Sequence, residues 1–124
     1  MKVLLIEDDL LLLKTLEFKL KKEGFEVEIA KNGYDALESL KNDIPDLIVT
    51  DIMMPFVNGL EIISMVRNEM MSNVIIIVLS AAGLEKVVLE AFELGADDFI
   101  SKPFSPNELI MRIKKLTMRS RINA

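Results

Sequence analysis

Residues 46–59 read DLIVTDIMMPFVNG, and the order of chemistry along them sets the kind of fold to look for. Leu47, Ile48, Val49 and Thr50 make an apolar, β-branched run that suits a buried strand and is too short for a helix. The run ends on Asp51. Pro55 and the pair Asn58–Gly59 make a turn, after which helical periodicity begins. A carboxylate at the C-terminal end of a buried strand lies where open α/β sheets place their ligands. Taken alone, Asp51 would more often cap a turn; the other strand ends decide against that.

Outward from this stretch the same alternation repeats. On the N-terminal side, Lys2–Ile6 (KVLLI) is a strand that runs into Glu7, Asp8 and Asp9. Asp9 can N-cap a helix from Leu10 to about Glu23, with Leu12, Leu13, Leu16 and Leu20 inward, and Gly24 stops it. Glu26–Ala30 alternates like a half-exposed edge strand. Asn32 or Gly33 opens a second helix, from Tyr34 to about Lys41, with Ala36, Leu37 and Leu40 inward. Pro45 precedes the central strand. On the C-terminal side a third helix is expected from about Gly59 to Asn68, with Leu60, Ile63, Met65 and Val66 apolar. The run VIIIVL over residues 74–79 should be a strand buried on both faces. It ends in Ser80. A helix over Glu85–Leu94 stops at Gly95. A short strand, DFIS, precedes Lys102–Pro103. Ser105, Pro106 and Glu108 open the last helix, whose inner face is Leu109, Ile110, Ile113 and Leu116. Five βα units in a row predict an α/β fold, a doubly wound parallel sheet with helices on both faces.

The totals agree with one domain over residues 1–124. Hydrophobic residues are 51% and charged residues 28%, normal for a globular protein. No apolar run approaches the roughly 20 residues of a membrane span. Cys and His are both absent. That excludes thiol nucleophiles and imidazole acid–base chemistry, fits a reducing, cytoplasmic setting, and leaves hard oxygen ligands. A net charge of −5 argues against this domain gripping nucleic acid by itself.

A parallel sheet brings its strand ends to one edge. That edge gathers Glu7 and Asp8 from strand one, Asp51 from strand three, Ser80 from strand four and Lys102 after strand five. Clustered carboxylates repel and call for a cation, and hard oxygens suit Mg²⁺. A lysine charge and a hydroxyl beside it suit phosphoryl oxygens. Asp51 is then placed to attack phosphorus and form an acyl phosphate. Each group alone reads better as a turn, a helix cap or a surface charge. Jointly, four strand ends with complementary groups do not.

With LLIEDD at the first strand, VTDIMMP around Asp51, IVLSA ending in Ser80, and GADDFISKPFSPNEL near the C-terminus, the chain resembles from end to end a receiver domain of a two-component response regulator. It is closest to the OmpR/PhoB type. The resemblance implies a flavodoxin-like (βα)5 fold with strand order 2-1-3-4-5. It implies Asp51 as phosphoacceptor, Lys102 and Ser80 as phosphoryl-binding groups, and Mg²⁺, with Mn²⁺ able to substitute, held by Glu7, Asp8, Asp51 and the backbone carbonyl of Met53. It implies a cis bond before Pro103, and Phe99 as a switch aromatic that turns inward when Ser80 moves toward the phosphoryl group. The donor it implies is a sensor histidine kinase or phosphotransfer protein, with Leu10, Leu11 and Phe18 as a candidate docking face. The expected activity is that of a switch, not a turnover enzyme, with an active homodimer through the fourth helix, fifth strand and fifth helix. The domain could be the N-terminal part of a longer regulator with a DNA-binding effector. The alternative is a single-domain phosphorelay intermediate.

Some positions depart from that family's pattern. Phe56 stands where glycine is common, so the loop after Asp51 should be stiffer. Val87, Val88 and Leu89 replace basic residues on the fourth helix, which favours a more apolar contact over the subfamily's charged one, to which Asp97, Asp98, Glu108 and Arg112 are suited. The stripe Arg112, Lys114, Lys115, Arg119 and Arg121 on the last helix reads as a solvated face. Met53 and Ala82, each two residues past a site residue, cannot hydrogen-bond an attacking water, so slow self-dephosphorylation is expected. Met53 also argues against a haloacid-dehalogenase-type phosphatase, which needs an acid there. The acidic first loop argues against a flavin or nucleotide binder. The complete set of site residues argues against a receiver that signals without phosphorylation.

Overall fold

A computed structural model describes residues 1–123, with side chains through Met118. Strand β1 (Lys2–Ile6) leads to helix α1 (Leu10–Lys22), then β2 (Glu26–Ala30), α2 (Gly33–Asn42), β3 (Leu47–Asp51), α3 (Gly59–Ser64), β4 (Ile75–Ser80), α4 (Glu85–Leu94), β5 (Asp98–Ser101) and α5 (Pro106–Asn123). The strands form one parallel sheet in the order β2-β1-β3-β4-β5. This is the flavodoxin-like α/β arrangement, with the chain reversing direction across the sheet between β1 and β3. Arg119 and Arg121, read as part of a basic stripe, have side chains outside the described residues.

Parallel strands covered on both faces must be apolar throughout. Every residue of β3 is buried, and so is all of β4 except Ile75. Alternate residues then feed two cores. Leu4, Ile6, Ile48, Ile76 and Val78 pack with the inner faces of α2, α3 and α4. Val3, Leu5, Leu47, Val49, Ile77 and Leu79 pack with Leu13, Leu16 and Leu20 of α1 and Leu109, Ile110 and Ile113 of α5. Edge strand β2 is only half buried, as its alternation requires.

Local chemistry starts and stops the helices. The Asp9 carboxylate accepts from the Leu11 and Leu12 amides at 3.1 and 3.2 Å, satisfying two orphan donors. Asn32 accepts from Asp35 N, and Asn58 from Glu61 N. Gly95 ends α4 at φ +118°, where a side chain would be strained. In contrast, the N-terminus of α4 has no side-chain cap.

The third helix differs from its expected course. It is α-helical only to Ser64 and continues as a π-helical turn over Met65–Glu69. Inserting the wider turn carries the register past an ideal 3.6-residue period, a placement periodicity counts cannot resolve. Ile62 joins Ile63 and Val66 in the core, while Met65 is half-buried.

Candidate functional site

The C-terminal ends of β1, β3 and β4 and the segment after β5 meet at one sheet edge. Glu7 follows β1 directly and is fully buried; its backbone N donates to Ala30 O at 3.1 Å, and its Oε1 accepts from Asp9 N at 3.1 Å. Asp51 ends β3, with 7% of its surface exposed. Asp8 is exposed, and ligand oxygens of Glu7, Asp8 and Asp51 all lie within 4.8 Å of one another. Among the described residues this is the one acidic cluster close enough to hold a metal ion.

Lys102 reaches into the cluster. Its Nζ is 3.0 Å from Glu7 Oε2 and 3.3 Å from Asp51 Oδ2. The Lys102 backbone N donates to Ser80 O at 2.7 Å, which anchors the lysine to the end of β4. The Lys102–Pro103 peptide is cis. One cation thus faces several carboxylates, and the balance is incomplete. Glu7 Oε2 is buried and, although the ammonium is close, has no aligned hydrogen bond.

The electrostatics follow. Burial, then the Asp51 charge, pushes the Glu7 carboxyl up to about 7, against the pull of Lys102. Burial also raises Asp51, opposed by Lys102. Burial works to lower the Lys102 ammonium, but its contacts with Glu7 and Asp51 outweigh that and leave it raised. A buried carboxylate kept from ionising by its neighbours is a group that a divalent cation would relieve. The oxygen donors, the orphaned Oε2 and the spacing fit a hard divalent ion.

Ser80 is 3% exposed and its hydroxyl donates to Ala81 O at 3.0 Å. Beside it a cleft of about 160 Å³ runs between the Ser80–Leu84 loop, Val88, Phe99 and Ser101. Phe99 lies on the wall of this cleft, 38% exposed, with its ring against Phe92. The loop after β3 carries Met53, 55% exposed, and Phe56, 80% exposed. Phe56 adopts φ +69° and packs on Tyr34, ring centroids 5.8 Å apart. Phe56 is therefore held in the left-handed conformation, which costs most residues about 1–2 kcal/mol. Gly59 closes the loop: its N donates to Ile52 O at 2.7 Å, and a Cβ would sit 2.5 Å from Asp51 O.

Leu10, Leu11 and Phe18 are all exposed on α1, and Leu11 and Leu12 line a groove of about 440 Å³ with Pro103 and Phe104. Around β5 and α5 the charges suited to an interface are engaged within the chain. Arg112 binds Asp98 at 2.9 Å, Glu108 at 3.3 Å and Phe99 O at 3.1 Å. Asp97 accepts from Ile76 N at 2.8 Å and from Arg67 at 3.1 Å.

Arg67 was not singled out by the sequence. Placed by the π turn, its guanidinium donates to Gly95 O, Ser72 O, Val74 O and Asp97, tying α3 to the α4–β5 corner. A lone arginine on a helix carries no local sign of such a role. Phe92 likewise gave no signal beyond helical spacing.

Comparison with known proteins agrees with the geometry. The family model described as the response regulator receiver domain matches residues 3–114. The chain is 44% identical over 119 residues to the transcriptional regulatory protein CpxR homolog of Haemophilus influenzae, covering 96% of this chain and 51% of that protein. It is 40% identical over 119 residues to the probable transcriptional regulator ycf29 of Pyropia yezoensis, covering 95% and 54%. The chain thus spans about half the length of these curated relatives. Among solved structures, the receiver domain of the Francisella response regulator 1452 superposes with a TM-score of 0.87 at 33% identity, covering 96% of this chain and 98% of that one.

Proposed function

The chain belongs to the response regulator receiver family of two-component signal transduction, and from that premise we propose that Asp51 is its phosphoacceptor. The observation that carries the reading is the convergence of Glu7, Asp8, Asp51 and Lys102 at the end of β3. Glu7, Asp8 and Asp51, with the Met53 carbonyl, would hold Mg²⁺, or Mn²⁺ in its place. When bound, the ion neutralises charge on the phosphoryl oxygens.

The residues of the chain divide the remaining work. A carboxylate oxygen of Asp51 attacks phosphorus while the P–N bond to the donor's imidazole breaks, its electron pair staying on the ring nitrogen. Lys102, already 3.3 Å from Asp51, neutralises the transferred group. Ser80 gives up its bond to Ala81 O and turns its hydroxyl to a phosphoryl oxygen. That movement opens the cleft beside Val88 to Phe99, and the outer face of α4, β5 and α5 changes with it. The chain is on this reading a switch and not a turnover enzyme. Met53 and Ala82 offer no hydrogen bond to an attacking water, so the acyl phosphate is long-lived.

The donor is a sensor histidine kinase or phosphotransfer protein that docks over Leu10, Leu11 and Phe18. Among the described residues no helix is long and apolar enough to cross a membrane, and the domain works in the cytoplasm without itself binding nucleic acid. Residues 1–124 form one receiver domain, the N-terminal part of a longer transcriptional regulator; transcription-regulator relatives of about twice the matched length support this. When phosphorylated it pairs with a second copy through α4, β5 and α5, where Leu89 and Phe92 are exposed.

The test is intact mass after incubation with acetyl phosphate and Mg²⁺, with light scattering in beryllofluoride. One added phosphoryl group, absent in Asp51→Asn, is expected, together with a monomer-to-dimer shift. Label retained by Asp51→Asn would refute the assignment. Label without a mass shift would leave a monomeric phosphorelay intermediate as the better reading.

A further inference from the structure

We propose that Phe92 is a positioning residue that holds Phe99 outward and so sets how readily the site switches; this rests on Phe99 moving when Asp51 is phosphorylated. The two rings meet edge to face, centroids 5.9 Å apart and planes at 87°, the geometry aromatic quadrupoles favour. They come from different elements, α4 and β5, and Phe99 can keep this contact only while its ring stays outside. Both are about 40% exposed, at 39% and 38%, so the contact is not a by-product of a filled core.

The rest of Phe99 is fixed. Its amide is bonded to Asp98 Oδ1 at 2.8 Å and its carbonyl accepts from Arg112 at 3.1 Å. Its backbone pairs with Val78 of β4. Only the side-chain torsions are free to change. The alternative position exists on the other side of the ring: the cleft beside Ser80, Ala82 and Val88, of about 160 Å³. A cavity of about 150 Å³ accommodates benzene. Phe99 therefore has two places to go, and Phe92 stabilises one of them. The inward position is lined instead by Val88 of α4 and by the loop after Ser80.

Linkage turns this contact into a set point. A ligand that favours the inward state binds with an apparent affinity reduced by the fraction of molecules in that state. Removing an edge-to-face contact raises that fraction about 2- to 12-fold, the equivalent of ~0.5–1.5 kcal/mol. Truncating Phe92 should therefore tighten binding at a site on the far side of Phe99, the opposite of what simple destabilisation does.

The experiment is titration of the whole chain with beryllofluoride and Mg²⁺, followed by ¹⁹F NMR, for wild type, Phe92→Ala and Phe92→Tyr. It is run at a protein concentration where light scattering shows wild type and variants still monomeric at saturation, so that the pairing face does not contribute. Phe92→Ala should bind about 2- to 12-fold more tightly, and Phe92→Tyr, which keeps the ring, should match wild type. If Phe92→Ala fails to fold, Phe92→Leu replaces it, filling the site without an aromatic face. Unchanged or weaker binding in the folded ring-less variant overturns the proposal. Beryllofluoride failing to bind wild type overturns the Asp51 reading and this one with it, and is distinguishable because every variant then fails alike.

Discussion

Replacing Glu7 by glutamine should make the metal-free protein more stable, not less. Glu7 is fully buried, its Oε2 lacks an aligned hydrogen bond, and its carboxyl is pushed from 4.5 up to about 7 by burial and by Asp51. A carboxyl whose pKa is higher folded than unfolded favours the protonated fold. Its contribution is fully present below pH 4.5 and is lost as pH rises through 7. The difference of about 2.5 units corresponds to roughly 3 kcal/mol between those limits. Glutamine imitates the protonated form at every pH. In EDTA at pH 8, Glu7→Gln should exceed wild type by about 1–3 kcal/mol; at pH 4.5 the two should coincide. In urea, with m of roughly 1–3 kcal/mol/M, a 3 kcal/mol gain moves the midpoint by about 1–3 M. Magnesium should reverse the order. A ligand at 100 times its Kd stabilises by about 2.7 kcal/mol, and only wild type keeps the full carboxylate set. A variant no more stable than wild type at pH 8 in EDTA, or an equal difference at both pH values, would refute the account of Glu7 as an under-compensated buried charge.

Further expectations concern the loop, the lysine and the α4–β5 corner. Arg67→Ala leaves the carbonyls of Ser72, Val74 and Gly95 without their donor and should cost about 3 kcal/mol, read by urea unfolding; a loss under 1 kcal/mol would show that water replaces it. Phe56→Gly relieves the φ +69° backbone but loses the Tyr34 contact and adds unfolded-state entropy, so it should fall within about 1 kcal/mol of wild type. Phe56→Val, β-branched in the same conformation, should be clearly less stable. Lys102→Met should slow labelling by acetyl phosphate at least about 10-fold, measured by intact mass, while Asp51 remains the labelled residue. Phosphorylated wild type should keep its label for hours, and Met53→Asn should shorten that; decay within minutes that Met53→Asn leaves unchanged would contradict the proposed lack of a water-positioning group.

Much of this was written locally. The continuous apolar runs of β3 and β4 predict strands buried on both faces, and β2 alternates because one face is half open. The caps Asp9, Asn32, Asn58 and Ser105 act as their side chains dictate, each accepting from a backbone amide of the first helical turn. The gathering of Glu7, Asp8, Asp51, Ser80 and Lys102 followed from the βα alternation alone, because parallel strands deliver their C-terminal ends to one edge. Where the sequence fell short, the reason was also physical. Past Ser64 the helix becomes a π turn that sets Arg67 against Ser72 and Val74 nearby and Gly95 and Asp97 far along the chain, contacts that no helical period records.

The sequence by itself determined the fold class, the strand ends that carry chemistry, and the kind of cation that chemistry suits. These depend on period, capping and residue type, all properties of neighbours along the chain. Only the tertiary structure decided that Glu7 is sealed from water with an orphaned oxygen, that Arg112 is clasped by Asp98 and Glu108 within its own chain, and that Phe92 meets Phe99 edge to face. Burial, ion pairing and ring geometry depend on which distant side chains come together, and that is set when the helices dock on the sheet.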